Sequence, residues 1–217
     1  MNWTEKYRPL HLKDVAGNQK VIGELKKYAK LKVGDLPNLL FYGPPGVGKT
    51  SSAYSFCLDA NHAFEDINSA QVNGKEDMDK FVHRLSQGSM LSNFEVTEDK
   101  DGEQSTEGYI LVFDKAEMLT EKAQNVLEKA LESRTDAKAI FLLNDVTKLT
   151  EAMLTRFTTF KFEKLKNQEI KKLLIGIAKK ENIDVPEYVL NKIMAEADGI
   201  PRSAITALEK YWVLTTH

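Results

Sequence analysis

Gly43-Pro44-Pro45-Gly46-Val47-Gly48-Lys49-Thr50 decides the reading of this chain, and its flanks support the same reading. The order Gly, four residues, Gly-Lys-Thr is the pattern of a phosphate-binding loop, or P-loop. A short apolar run, Asn38 to Tyr42, enters the loop with the composition of a buried strand, and helical periodicity from Lys49 to Asp59 leaves it. Gly43, Gly46 and Gly48 let backbone N–H groups turn inward around anionic oxygens, and the helix starting at Lys49 adds the positive end of its dipole. Lys49 carries an ammonium to terminal phosphates, and the Thr50 hydroxyl is a ligand for Mg2+. Pro44, Pro45, Val47 and Ser51 complete the cofactor-binding stretch.

Working outward, a P-loop needs a carboxylate at the end of a second apolar strand to hold the metal's water shell. Tyr109-Ile110-Leu111-Val112-Phe113-Asp114 supplies it, so Asp114 is the expected metal-side carboxylate. Further strands are expected at Ala63 to Asn68, Ala139 to Leu143 and Thr158 to Phe162. Helices are expected from an Asn18 cap to Lys30, over Lys75 to Leu85, and after a Thr120 cap. An extended N-terminal arm, Trp3 to Val15, precedes them. Nearly continuous apolar strands separated by helices predict an α/β fold with a parallel sheet covered on both faces. From Asn167 the strand pattern gives way to three helical stretches, Gln168 to Glu181, Pro186 to Ala197 and Arg202 to Leu214. The expected division is a nucleotide-binding core with its arm over 1–164 and a small all-helical domain over 165–217.

The chain has 217 residues, 42% of them hydrophobic, enough for a substantial core. No apolar run approaches the roughly 20 residues of a membrane span, and no charged-then-apolar leader opens the chain. The expectation is a cytoplasmic protein without a membrane partner. One cysteine, Cys57, excludes an internal disulfide framework, and the four histidines lack metal-ligand spacing. The net charge of −2 conceals segregation: residues 1–34 carry eight Lys/Arg against three acids, whereas Glu95 to Glu107 carry six acids and one lysine.

Trp3-Thr4-Glu5-Lys6-Tyr7-Arg8-Pro9, then Asp14-Val15-Ala16-Gly17, then the P-loop, resembles the opening of the replication clamp-loader ATPase subunits, the replication factor C type within the AAA+ class. Glu65-Asp66-Ile67-Asn68-Ser69-Ala70 is similar to a strand element of that family, and Ala116 to Leu131 to the helix after its aspartate box. The resemblance covers residues 3 to 213. It implies an AAA+ P-loop core followed by a helical lid, and ATP with Mg2+ as cofactors. Tyr7, Arg8, Pro9, Val15 and Gly17 would line the adenine pocket. Asn144 stands where the family has its polar sensor of the γ-phosphate, the alternative being a strand-end turn residue. Thr155-Arg156-Phe157 stands at the family's Ser-Arg-Cys motif, whose arginine acts in the neighbouring subunit's site; a surface ion pair is the plainer reading of Arg156. Arg202, in Gly199-Ile200-Pro201-Arg202, occupies the lid sensor position, or is an ordinary first-turn residue. The implied partners are other clamp-loader subunits, a sliding clamp and primer-template DNA. Lys75, Lys80 and Arg84 would contact DNA phosphates, or form a solvated helix face diluted by Glu76, Asp77 and Asp79.

Three departures from the family shape the functional expectation. Lys115 follows Asp114 where the family has a glutamate, and an ammonium cannot take a proton from water, a loss that typically costs about 10²- to 10⁴-fold in rate. Glu117 is a possible substitute, or simply the family's usual acidic position. Phe157 and Thr155 flank Arg156 in place of cysteine and serine. The length suits a core plus a lid without the collar domain of clamp-loader subunits. The leading expectation is an ATP-binding subunit of a clamp-loader-like complex that drives clamp opening or loading on primed DNA. The alternatives are a hydrolysis-deficient scaffold that contributes Arg156, and a small-molecule kinase, which the lid helices after the core disfavour.

Overall fold

The computed structural model describes residues 2–86, 108–133 and 136–216. The acidic stretch Glu95 to Glu107 lies outside the described residues. Among the described residues five strands are present: β1 (Asn38–Tyr42), β2 (Ala63–Asn68), β3 (Tyr109–Asp114), β4 (Ala137–Leu143) and β5 (Phe157–Lys161). They form one sheet in the order β2-β3-β4-β1-β5, with β1 parallel to β4, β2 to β3 and β3 to β4. The expected α/β architecture is therefore present. Parallel neighbours align strand ends: Tyr42 lies opposite Leu143, and Asp114 opposite Leu142 and Asn68. The last residue before the P-loop, Asp114 and the position preceding Asn144 thus share the carboxyl edge of the sheet, where open α/β sheets place their ligands.

Among the described residues the helices are α1 (Trp3–Lys6), α2 (Gln19–Tyr28), α3 (Lys49–Asp59), α4 (Lys75–Ser86), α5 (Glu121–Glu132), α6 (Glu151–Leu154), α7 (Asn167–Lys180), α8 (Glu187–Ala197) and α9 (Pro201–Thr216). Two local expectations are corrected. The arm is not extended throughout: the Asn2 side chain accepts from Thr4 N and starts α1, and a 3-10 turn forms at Leu12–Asp14. Nor does the Asn18 side chain cap α2. Asn18 sits at φ +49°, and its amide exchanges two hydrogen bonds with the Glu163 backbone, at 3.1 and 2.9 Å. A non-local partner that satisfies both amide atoms outcompetes a single capping bond.

Contacts divide the chain into two compact units. One comprises Lys27–Tyr42 and Cys57–Phe160; the other comprises Met1–Lys26, Gly43–Phe56 and Lys161–His217. The arm, the P-loop and the C-terminal helices thus fall in one unit. Trp3, 3% exposed, packs among Ile170, Leu174, Ile205 and Leu208, with its ring 5.3 Å from Trp212 and 6.0 Å from Tyr7.

In the sheet unit the core is aromatic. Phe113 and Phe141 stand edge to face at 5.1 Å, flanked by Phe81 and Phe157, and each such pair contributes roughly 0.5–1.5 kcal/mol beyond its buried area. Thr120 Oγ1 accepts from Ala123 N to start α5, which buries Ala123, Leu127, Ala130 and Leu131. One buried polar side chain ties α5 to the following segment: Gln124 Nε2 donates to Leu119 O (3.0 Å) and Lys148 O (3.1 Å), while Oε1 accepts from Thr150 N (2.9 Å). Gln124→Met keeps the volume but removes the partner of three backbone groups, one in a buried bond and two in part-buried ones, so a loss of up to about 3 kcal/mol is expected, at about 1 kcal/mol per bond, read as the shift in urea midpoint at constant m-value.

Candidate functional site

The P-loop adopts the conformation that its glycines predict. Gly43, Gly46 and Gly48 have φ of +144°, +78° and +103°, values at which an L side chain is strained. A Cβ on Gly43 would collide with the Phe162 carbonyl, and one on Gly46 would lie 2.8 Å from Ile200 Cγ2 and 3.2 Å from Arg202 Cβ. A Cβ on Gly48 would meet nothing within 4 Å. The loop is thus backed by Phe162 and by residues 200–202 and is open at Gly48. Lys49, 8% exposed, donates from Nζ to Gly43 O at 2.7 Å and Pro44 O at 2.9 Å, and Ser52 N closes the first turn of α3 on Gly48 O. Burying an ammonium costs several kcal/mol unless acceptors surround it, and the loop's own carbonyls supply two. Val47 is buried, and Thr50 and Ser51 are half-buried at the start of α3. Arg202 is brought to the loop: its N–H donates to Gly46 O at 3.4 Å, while its side chain is exposed.

The arm residues gather in the same unit. Pro9 O accepts from Ser55 Oγ at 2.9 Å, and the Arg8 guanidinium lies 5.3 Å from the Tyr54 ring, so both are tied to α3. Val15 is buried. Gly17, at φ +71°, lies so close to Leu165 that a Cβ would overlap that side chain. At the other end, the Tyr7 hydroxyl and Lys6 Nζ both donate to Glu181 Oε1 just after α7, and Lys180 Nζ lies 5.6 Å from the Tyr7 ring. Burial, then the bond to Glu181, raises the Tyr7 phenol above its usual pKa and keeps it a donor. Lys6, then Tyr7, holds the Glu181 carboxyl below the usual glutamate value.

In the sheet unit, Asp114 ends β3 with Oδ1 accepting from Lys115 N at 3.0 Å. Lys115 is left-handed, at φ +55° and ψ +46°, and leads into a 3-10 turn, Ala116–Met118. Glu117 on that turn accepts with Oε1 from Asn144 Nδ2 at 2.8 Å and Asn144 N at 3.3 Å. Arg156, after α6, is bound within the chain: Nε donates to Glu128 at 3.1 Å, and Nη2 pairs with Glu132 one turn further along α5. These residues line a cavity of about 450 Å³ with Asn38, Lys138 and Phe157. On α4, Lys75, Lys80 and Arg84 are exposed while Met78, Phe81 and Leu85 are buried. Lys80 is 4.0 Å from Asp77, and the Arg84 guanidinium is 6.0 Å from the Phe81 ring.

The observed cradle fits a phosphate chain: inward-turning glycines, open space at Gly48, a buried lysine and a helix start. Among the described residues no cluster of three His, Cys, Asp or Glu could by itself hold a metal. Glu181, Glu128 and Glu132 were not among the expected site residues, and each reaches its partner across 24 or more positions. Only Glu117 carried a local signal, its spacing of three from Asp114.

Two outcomes test this geometry. Gly46→Ala should destabilise the chain by about 1–2 kcal/mol through its left-handed φ and weaken nucleotide binding in the same preparation, read by thermal unfolding and titration. The lowered Glu181 carboxyl contributes stability that is present at neutral pH and lost as pH falls through its folded value, below the ordinary 4.5. Glu181→Gln should therefore be less stable than wild type at neutral pH, with the difference shrinking as the pH falls through the folded value of Glu181; a gap that persists undiminished in acid would contradict this.

Residues 39–165 match the ATPase family associated with various cellular activities (AAA). The chain is similar over 220 residues to replication factor C subunit 4 of Homo sapiens, at 31% identity, covering 98% of this chain and 59% of that protein. It is similar over 212 residues to the replication factor C small subunit of Methanosarcina barkeri, at 34% identity, covering 95% and 60%. The chain thus spans about three fifths of the length of these relatives. Its fold is similar to that of Thermotoga maritima RuvB, described as a Holliday junction branch migration motor, with a TM-score of 0.77 at 18% identity over 97% of this chain and 67% of that one. No described helix is long and apolar enough to cross a membrane. With the P-loop, the parallel sheet and the greater part of the chain accounted for in this way, the protein belongs to the AAA family of ATPases.

Proposed function

We propose that this chain is an ATP-binding subunit of a clamp-loader-like assembly in DNA replication. The observation that carries the nucleotide part is the P-loop: a buried Lys49 held by Gly43 and Pro44 carbonyls within a loop whose three glycines take positive φ. An arriving phosphate chain would exchange those carbonyls for stronger anionic acceptors, with Thr50 and Asp114 as the residues for Mg2+ and its water shell. Tyr7, Arg8, Pro9, Val15 and Gly17 would form the base side of the site, and Asn144 and Arg202 would report the nucleotide's state. The replication part rests on similarity to replication factor C subunits over nearly the whole chain. In that setting Arg156 would serve a neighbouring subunit's site, other subunits and a sliding clamp would be the protein partners, and Lys75, Lys80 and Arg84 would meet primer-template phosphates. The helices after residue 164 would act as the lid, in the cytoplasm or in whichever compartment holds the replicating DNA.

A second reading, an ATP-holding scaffold with little turnover of its own, is favoured by Lys115. Its ammonium stands beside Asp114 where a proton acceptor is expected. Titration with ATP and Mg2+ should show saturable binding that Lys49→Ala weakens at least about tenfold, the loss of one charge-assisted contact. Binding unchanged by Lys49→Ala would overturn the nucleotide assignment. Steady-state phosphate release should rise in Lys115→Glu if the missing base limits turnover; a wild-type rate of about 1 per second or more, ordinary for enzymes, would remove the scaffold reading.

A further inference from the structure

Glu117 has a position that a phosphate site does not by itself require. It follows Asp114 by three residues, and its Oε1 is the acceptor for two donors of one residue, Asn144 Nδ2 at 2.8 Å and Asn144 N at 3.3 Å. Its second oxygen, Oε2, is buried and has no hydrogen-bond partner. Burying a carboxylate oxygen without a partner is unfavourable, and so is a left-handed lysine. Both are found within three residues here, and both follow from one geometry. The left-handed turn at Lys115 folds the chain back so that Glu117 reaches the end of β4.

The consequence falls on the Asn144 amide. Its two ends are alike in shape but opposite in hydrogen bonding. With a carboxylate as neighbour only the nitrogen can face it, since the amide oxygen would set two acceptors against each other. The backbone N–H of Asn144 donates to the same oxygen, so Glu117 holds the residue at two points and fixes which amide atom faces away. Oε1 is already engaged and Oε2 is buried away from solvent, which separates this role from that of a base acting on water.

We infer that Glu117 is a positioning residue that sets the amide orientation of Asn144 and, through it, the preference for a nucleoside triphosphate over a diphosphate. This rests on the reading of Asn144 as the sensor of the terminal phosphate. A Glu117 that merely braced the turn would change stability without changing that preference.

The test is equilibrium binding of ADP and of a non-hydrolysable ATP analogue, each with Mg2+, to the full chain and its variants. Turnover is not needed for the readout. Asn144→Ala is expected to lower the analogue-to-ADP affinity ratio about tenfold, the equivalent of roughly 1.4 kcal/mol. Glu117→Ala should lower it by the same factor with ADP affinity unchanged, and the double variant should fall no further than either single one. Glu117→Gln, whose oxygen still accepts from both N–H groups, should stay within about threefold of wild type. If Glu117→Ala does not fold, Glu117→Asp carries the test, because it keeps the charge but withdraws the carboxylate by one methylene. A ratio preserved in Glu117→Ala or Glu117→Asp, effects that multiply in the double variant, or no effect of Asn144→Ala would each overturn the inference. Wild type that binds neither nucleotide would instead overturn the underlying nucleotide assignment.

Discussion

The ammonium of Lys49 is the constraint around which this protein is arranged. A cation 8% exposed must be matched by acceptors, and here these are Gly43 O and Pro44 O, carbonyls of the very loop that the lysine terminates. That self-wrapping requires backbone torsions only glycine takes at low cost, and positions 43, 46 and 48 are glycine. It also requires support behind the loop. Phe162 closes against Gly43, Ile200 and Arg202 against Gly46, and Leu165 against Gly17. The C-terminal helices and the N-terminal arm belong to the same compact unit as the loop, so they serve as its packing support.

Much of this was legible from local pattern. Strands such as Tyr109–Asp114 and Asn38–Tyr42 are continuous apolar runs, and a parallel sheet buried on both faces demands that composition. The glycine spacing specified the loop conformation because each positive φ is a single-residue property. What pattern could not supply were partners chosen across the chain. Asn18 has the composition of a helix cap, yet its amide is used by Glu163, 145 positions away. The arm reads as extended, but Asn2 starts a helix that buries Trp3 beside Trp212. Glu181 lies at the end of a helix with nothing in its neighbourhood to suggest that Tyr7 and Lys6 would converge on it.

The acidic side chains show how one residue type serves different ends. Asp114 engages the next backbone N–H at the carboxyl edge of the sheet. Glu117 gives one oxygen to Asn144, and Glu128 with Glu132 occupies the Arg156 guanidinium on α5. In each case a carboxylate holds a polar group that the functional reading needs in a defined orientation. Lys115 inverts the sign at one position, following Asp114 with a cation.

Because the P-loop, the arm and the start of α9 share one packed unit, bound nucleotide should order them together. Backbone hydrogen exchange with and without ATP and Mg2+ tests it most directly. Exchange should slow at amides 46–52 together with residues 5–17 and 199–204, over the same nucleotide concentrations. Protection confined to the loop with the arm and α9 unchanged, or absent from the loop altogether, would contradict it.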